Sequence, residues 1–221
     1  MTRHLSDAER RVIATRSAIA CAQTGRIIVL SDSTGGTLPC MMVPAQFATA
    51  EAINFLVTHA RGLVCLPLDS AIVDKLQLTL QPQSNRRRLT TLFTISIEAR
   101  RAITTGISAQ DRSNTVAAAI DPQTGPQDLA TPGHVFPVRI ERDLPQKPGD
   151  LHRLAVDICD VADLRHAAVT CEILAPSGDV PSQEWIVKMA ADLNLPVFDC
   201  CNLDVTSDLK CHADQPIPAA P

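Results

Sequence analysis

The amino-acid sequence predicts a single α/β layered domain, without fixing its strand order or parallelism, and three observations carry that prediction. Amphipathic stretches opened by helix-capping residues alternate along the chain with short runs of β-branched and apolar residues. A chain of 221 residues, 45% hydrophobic and 20% charged, is long enough to bury a substantial core as one domain. No internal repeat interrupts it, and the composition changes character only near Asp204, where polar and Pro/Ala-rich residues suggest a loose tail. The expected organisation is therefore a domain over 1–203 and a flexible tail over 204–221.

The elements follow in order. Ser6 and Glu9 form a capping box for a first helix, with Ala8, Val12, Ile13, Ile19 and Ala20 near one face, running to about Ala22. Thr24 and Gly25 break it, Ile27 to Leu30 reads as a buried strand, and a loop spans Ser31 to Pro39. Met41 to Val43 suggests a second strand; Thr49 caps a helix carrying Ala52, Ile53, Phe55 and Leu56, which Gly62 ends. Strands are expected at Leu63 to Leu66, Phe93 to Ile97, His134 to Ile140 and Ala167 to Leu174. Helices are expected at Asp111 to Ile120, after Asp150 through Leu151, Leu154, Ala155 and Ile158, and from Ser182 to Leu193. Val197 to Asp199 closes the sheet.

Bulk properties exclude several function classes. A net charge of −4 with intermixed signs offers no positive field for nucleic acid, and the cluster Arg86, Arg87, Arg88 is too short to track a groove. No stretch approaches the roughly 20 apolar residues of a membrane span, and Met1 to Ala22 is charged rather than signal-like, so a cytoplasmic protein is expected. The eight cysteines, Cys21, Cys40, Cys65, Cys159, Cys171, Cys200, Cys201 and Cys211, contain no C-x2-C pair, and their spacing supports neither a disulfide framework nor a zinc site. Cys65, Cys159 and Cys171 sit in apolar runs as small hydrophobes.

Four segments carry a resemblance. Thr104-Thr105-Gly106-Ile107-Ser108-Ala109-Gln110-Asp111-Arg112 is similar to a TTGxSAxDR motif, and Pro132-Gly133-His134-Val135-Phe136-Pro137-Val138-Arg139 to PGHVFPLR. His59 with Arg61-Gly62-Leu63-Val64-Cys65 resembles RHGSGIVC, and Asp157 with Cys171-Glu172 matches a later D and CE. In this order the chain resembles the 3,4-dihydroxy-2-butanone 4-phosphate synthase family. The resemblance implies a single α/β domain with a mixed sheet flanked by helices, forming a homodimer with active sites completed across the interface. It also implies magnesium-dependent conversion of ribulose 5-phosphate to formate and a four-carbon phosphate.

The departures fall on the metal site. Where the family carries DDEDRENEGD, this chain reads Ser31-Asp32-Ser33-Thr34-Gly35-Gly36-Thr37-Leu38-Pro39-Cys40. Where it carries RGGHTEA, the chain reads Pro148-Gly149-Asp150-Leu151-His152-Arg153-Leu154. Magnesium needs several hard oxygen ligands, which Gly36, Leu38 and Leu151 cannot supply, so no metal is expected there and no cofactor elsewhere.

The retained residues define a candidate site. By resemblance, Thr105, Ser108, Asp111, Arg112 and His134 bind substrate; residue by residue, Asp111 could equally cap its helix and His134 be a satisfied core imidazole. Cys40 and His152, new at pocket positions, could make a thiolate nucleophile or a general base, and the retained Glu172 is a third catalytic candidate, although His152 could equally face water and Glu172 be a buried ion-pair partner. These residues lead to the expectation of a repurposed enzyme, lyase- or isomerase-like, acting without metal on a different small molecule in specialised metabolism. Two alternatives stay open: a non-catalytic ligand-binding homologue, and a true synthase of riboflavin biosynthesis.

Overall fold

The structure is a computed structural model and describes residues 5–82, 91–144, 147 and 149–205. The Arg86 to Arg88 cluster, Pro148, Cys211 and the expected tail from Thr206 onward lie outside the described residues. Among the described residues the α-helices and strands follow in the order α1 (Asp7–Gln23), β1 (Ile28–Ser31), β2 (Cys40–Pro44), α2 (Ala50–His59), β3 (Arg61–Asp69), α3 (Ser70–Lys75), β4 (Ile97–Ala99), α4 (Ala109–Ile120), β5 (Leu129–Ile140), α5 (Leu151–Val161), β6 (Ala168–Ile173), α6 (Gln183–Asp192) and β7 (Val197–Asp199). The strands form one mixed sheet of order β4-β5-β3-β6-β2-β1-β7, in which β3 runs parallel to β5 and β1 parallel to β7. The remaining neighbours pair antiparallel.

Alternation along the strands sorts side chains to two faces. On β1 and β2, Val29, Met41 and Val43 join a core with Ile53 and Leu56 of α2, Val116 of α4 and Ile186 of α6. Their neighbours Ile28, Leu30, Cys40 and Met42 join a second core with Ala18 and Ala22 of α1 and Leu154 and Ile158 of α5. A sheet buried on both faces requires continuous apolar runs rather than alternating polarity, which is why these strands read as hydrophobic blocks.

The capping signals form as expected: Glu9 N donates to Ser6 Oγ at 3.2 Å while Ser6 N donates to Glu9 Oε2 at 2.8 Å. Ala52 N reaches Thr49 Oγ1 at 3.2 Å, Arg153 N reaches Asp150 Oδ1 at 3.0 Å and Trp185 N reaches Ser182 Oγ at 3.2 Å. Four local expectations need correction. Phe93 and Thr94 make isolated bridges beside neighbouring segments, and the strand proper is Ile97–Ala99. Strand β5 begins at Leu129, five residues before His134. The short helix α3 carries too few residues for its periodicity to show. Gly62 does not end α2; the turn belongs to Arg61, at φ 71°, and Gly62 already lies in β3. Asp204, the first residue of the expected tail, still donates its N–H to Thr15 Oγ1 at 3.0 Å.

The reason for glycine at position 62 is packing. A Cβ there would lie 2.3 Å from the carbonyl oxygen of Glu172 on the adjacent β6, and backbone cannot swing aside as a side chain can. Gly62→Ala is expected to lower unfolding stability by about 1–3 kcal/mol, the usual cost of overpacking, measured by thermal or urea denaturation.

Candidate functional site

Strand β6 brings the first cluster together. Its antiparallel pairing with β2 sets Cys40 directly opposite Glu172, and the loop after β1 and the start of α5 close over this end of the sheet. The result is a cavity of about 200 Å³ lined by Gly36, Thr37, Cys40, Leu151, His152 and Glu172, among others. Asp32 shapes the loop: its Oδ1 accepts from Thr34 N at 2.9 Å and its Oδ2 from Gly36 N at 3.1 Å. Such an Asx turn satisfies backbone donors that no strand reaches.

His152 does not face water. It is largely enclosed, with Nδ1 3.1 Å from Thr170 Oγ1 on β6, and burial pushes its pKa below 6.5. Half-buried Glu172 is shifted the other way, because desolvation of its carboxylate raises its pKa above 4.5. Cys40 is 1% exposed, and burial, reinforced by the neighbouring Cys171 and Glu172, pushes its thiol far above its ordinary value. A thiol held so firmly protonated packs as a small hydrophobe, and the thiolate role expected of Cys40 lacks the cationic environment it needs.

The second cluster forms at the start of α4. Ser108, not Asp111, is the N-cap, its Oγ accepting from Asp111 N at 3.0 Å. The Asp111 carboxylate instead accepts from Thr104 N at 3.0 Å, Thr104 Oγ1 at 2.8 Å and Gly106 N at 3.0 Å. Burial opposes its charge, but the hydrogen bonds from Thr104, Ser108 and Gly106 outweigh that and hold its carboxyl below the usual range. The loop carrying Thr105 is thereby tied to the helix it precedes. Arg112 is partly buried, and its Nε has no hydrogen-bond partner among the described residues. His134 is not a core imidazole: it is 44% exposed and pairs through Nδ1 with Glu98 of β4.

The two clusters do not merge within one chain. Cys40, His152 and Glu172 share a cavity, whereas Thr105, Ser108, Asp111, Arg112 and His134 do not line it. Sequence reasoning missed Glu98, Lys147, Asp150 and Thr170 as site neighbours. Only Asp150 carried a signal, as a helix cap.

A mixed seven-stranded sheet covered on both faces, with a polar cavity over one end of its central strands, defines an α/β protein built like a small-molecule enzyme. The sequence profile described as 3,4-dihydroxy-2-butanone 4-phosphate synthase matches residues 16–204, and the chain belongs to that family. It is 40% identical over 188 residues to such a synthase from Neisseria meningitidis, covering 81% of this chain and 50% of the relative. It is 38% identical over 188 residues to one from Pseudomonas putida, covering 82% and 85%. A Vibrio cholerae synthase is 34% identical over 203 residues, covering 88% and 91%. The chain thus spans about half the length of the Neisseria relative and most of the other two. Among solved structures, a two-domain synthase from A. baumannii superposes with a TM-score of 0.79 at 28% identity, covering 85% of this chain and 56% of that one. A synthase in complex with two magnesium ions gives 0.76 at 26%, covering 84% and 92%.

These relatives overturn the expectation of a repurposed, metal-independent lyase or isomerase in specialised metabolism: sequences this similar over most of the chain are named for the synthase itself. The donor set of the cavity nevertheless does not fit magnesium as the family resemblance would place it. Leu151 is 5% exposed and packs in the core around α5, and Gly36 presents only backbone. Asp150 Oδ1 accepts from the cap amide of Arg153 and His152 Nδ1 lies against Thr170 Oγ1, leaving Asp150 Oδ2 and His152 Nε2 as the donors of this pair. Among the described residues, no three His, Cys, Asp or Glu ligand atoms converge in this cavity. None of the described helices is long and apolar enough to cross a membrane.

The shift at His152 sets a pH dependence. Its folded pKa lies below 6.5, so on acidification the unfolded chain takes up the proton first. The stability this group contributes is therefore complete above 6.5 and is lost as pH falls through the window below it. His152→Asn, which cannot titrate, is expected to flatten the fall in thermal midpoint between about pH 7 and about pH 5.

Proposed function

We propose that the chain acts as a 3,4-dihydroxy-2-butanone 4-phosphate synthase, releasing formate from ribulose 5-phosphate. The observation that carries this reading is the pairing of Glu172 and His152 in one cavity of a chain whose relatives bear that name. The overall change is a rearrangement and cleavage whose atoms balance between one sugar phosphate, one four-carbon phosphate and formate. It requires no redox partner. It does require repeated proton transfers next to carbonyl carbons, hence a positioned acid and base.

Opposed pKa shifts supply such a pair. Glu172 keeps its proton to higher pH than an ordinary carboxyl, and His152 stays neutral to lower pH than an ordinary imidazole. The opposed shifts favour the protonated form of Glu172, which can donate a proton, and the neutral form of His152, which can accept one. With Nδ1 engaged at Thr170, proton exchange at His152 falls to Nε2. Lys147, at the cavity wall, places a cation where a phosphate can be held. These proton transfers are assigned to the chain's own residues.

The remaining residues enter through a dimer. Ser108, Asp111 and the loop bearing Thr105 form a rigid helix start, and Arg112, partly buried beside it, brings a guanidinium cation that can pair with an anionic ligand. The homodimer would bring this cluster, with His134, over the Glu172 cavity of its partner, so that each site draws on both protomers.

Purified protein incubated with ribulose 5-phosphate is expected to release formate, detected by coupled formate oxidation, and Glu172→Gln is expected to lower kcat by about 10²–10⁴-fold. Absence of formate above the uncatalysed rate, at any divalent cation concentration, would remove the proposal. Light scattering is expected to give twice the chain mass at micromolar concentration, and a monomer would exclude the shared site.

A further inference from the structure

A second cluster of donors sits at the other side of the loop that shapes the cavity. The parallel pairing of β1 with β7 aligns Ser31 with Asp199, so the residues one step further along, Asp32 and Cys200, leave the sheet side by side. Cys201 follows in a short turn. One carboxylate oxygen of Asp32 and the Sγ atoms of Cys200 and Cys201 all lie within 4.8 Å of one another. Among the described residues, this is the one such trio.

We propose that Asp32, Cys200 and Cys201 form a binding site for a thiophilic divalent cation of the zinc class, which pins the loop after β1 to the end of β7. Two sulfur donors and one carboxylate suit Zn²⁺ and disfavour Mg²⁺ or Ca²⁺, which take hard oxygen ligands. Three protein ligands leave a fourth tetrahedral position for water. The burial gradient suits entry from solvent: Asp32 is buried, Cys200 partly buried and Cys201 exposed.

The surrounding hydrogen bonds orient the donors without using up their capacity. Asp199 Oδ1 accepts from Cys201 N at 3.0 Å and from Ser33 N at 3.4 Å, fastening the two segments to each other. Thr34 donates to Asp32 Oδ1 through both its N–H and its hydroxyl, and Gly36 N–H donates to Oδ2, which fixes the rotamer and leaves Oδ2 as the carboxylate oxygen with a lone-pair direction for a cation. Binding converts both thiols to thiolates and releases their protons to solvent. The site is separate from the Glu172 cavity but shares its loop, because the Asp32 carboxylate that would ligate the cation also accepts from cavity-lining Gly36. The inference does not depend on the proposed activity.

Spectroscopy tests it directly. Metal-free full-length protein, kept reduced with a thiol-free reductant, is titrated with Co²⁺ alone. The expected result is one equivalent bound with a sulfur-to-cobalt charge-transfer band in the near ultraviolet, which Zn²⁺ erases on addition. Cys200→Ser, Cys201→Ser and Asp32→Asn should each weaken Co²⁺ binding by at least the roughly 10–100-fold that loss of a mere supporting contact costs. Cys201 is exposed, so its serine variant should keep the native far-ultraviolet circular dichroism and remain informative if the others do not fold. No charge-transfer band, or a band of unchanged affinity in Cys201→Ser, would overturn the proposal.

Discussion

The register between β2 and β6 is the constraint on which the rest of the site depends. Five consecutive pairs, from Cys40 opposite Glu172 to Pro44 opposite Ala168, lock two central strands together, and β6 is held on its other edge by β3. A slip of one residue would exchange the two faces of β2, moving Cys40 and Met42 away from α5 and Met41 and Val43 away from α2. Because both faces are buried, such a slip would misplace apolar volume on both sides at once. The register that preserves the two cores is also the one that sets Glu172 at the mouth of the cavity, close against the backbone of Gly62. Stability and site geometry are in this sense the same requirement.

Much of the fold was legible because its signals are local. Capping at Ser6, Thr49, Asp150 and Ser182 depends on a side chain and an amide three residues away, and each of these helices starts where its cap sits. The failures are equally physical. The segment from Phe93 to Ile97 has the alternation of a strand but finds partners for only single bridges, since pairing is decided by neighbours distant in sequence. Gly62 after α2 invites the reading of a C-cap, yet the constraint on it comes from β6, about a hundred residues later in the chain.

The site was less legible for the same reason. Sequence pattern identified Glu172 and His152 but not that the two share a cavity, and it suggested a convergence with Arg112 and His134 that one chain does not make. The reactivity of Cys40 cannot be read from its type; burial decides it, and burial depends on the packing of α5. Cys200 and Cys201 carried no motif because their third neighbour, Asp32, arrives through the pairing of strands at opposite ends of the chain. Kinship and local chemistry also pull apart at positions 36 and 151. Glycine and leucine there removed the family's acidic and imidazole groups and led to an expectation of altered chemistry, whereas similarity across the rest of the chain supports the synthase reaction.

The central claim is that Glu172 and His152 of one protomer work with the Thr105 to Arg112 segment of the other. Subunit complementation tests it most directly. Glu172→Gln and Arg112→Ala proteins, each expected to be strongly impaired in formate release, are unfolded together, refolded as a mixture and assayed. Sites shared across the dimer would restore about a quarter of wild-type activity, since random pairing makes half the dimers mixed and each mixed dimer holds one intact site. A mixture as inactive as its two components would show that no site is shared between protomers and would contradict the account.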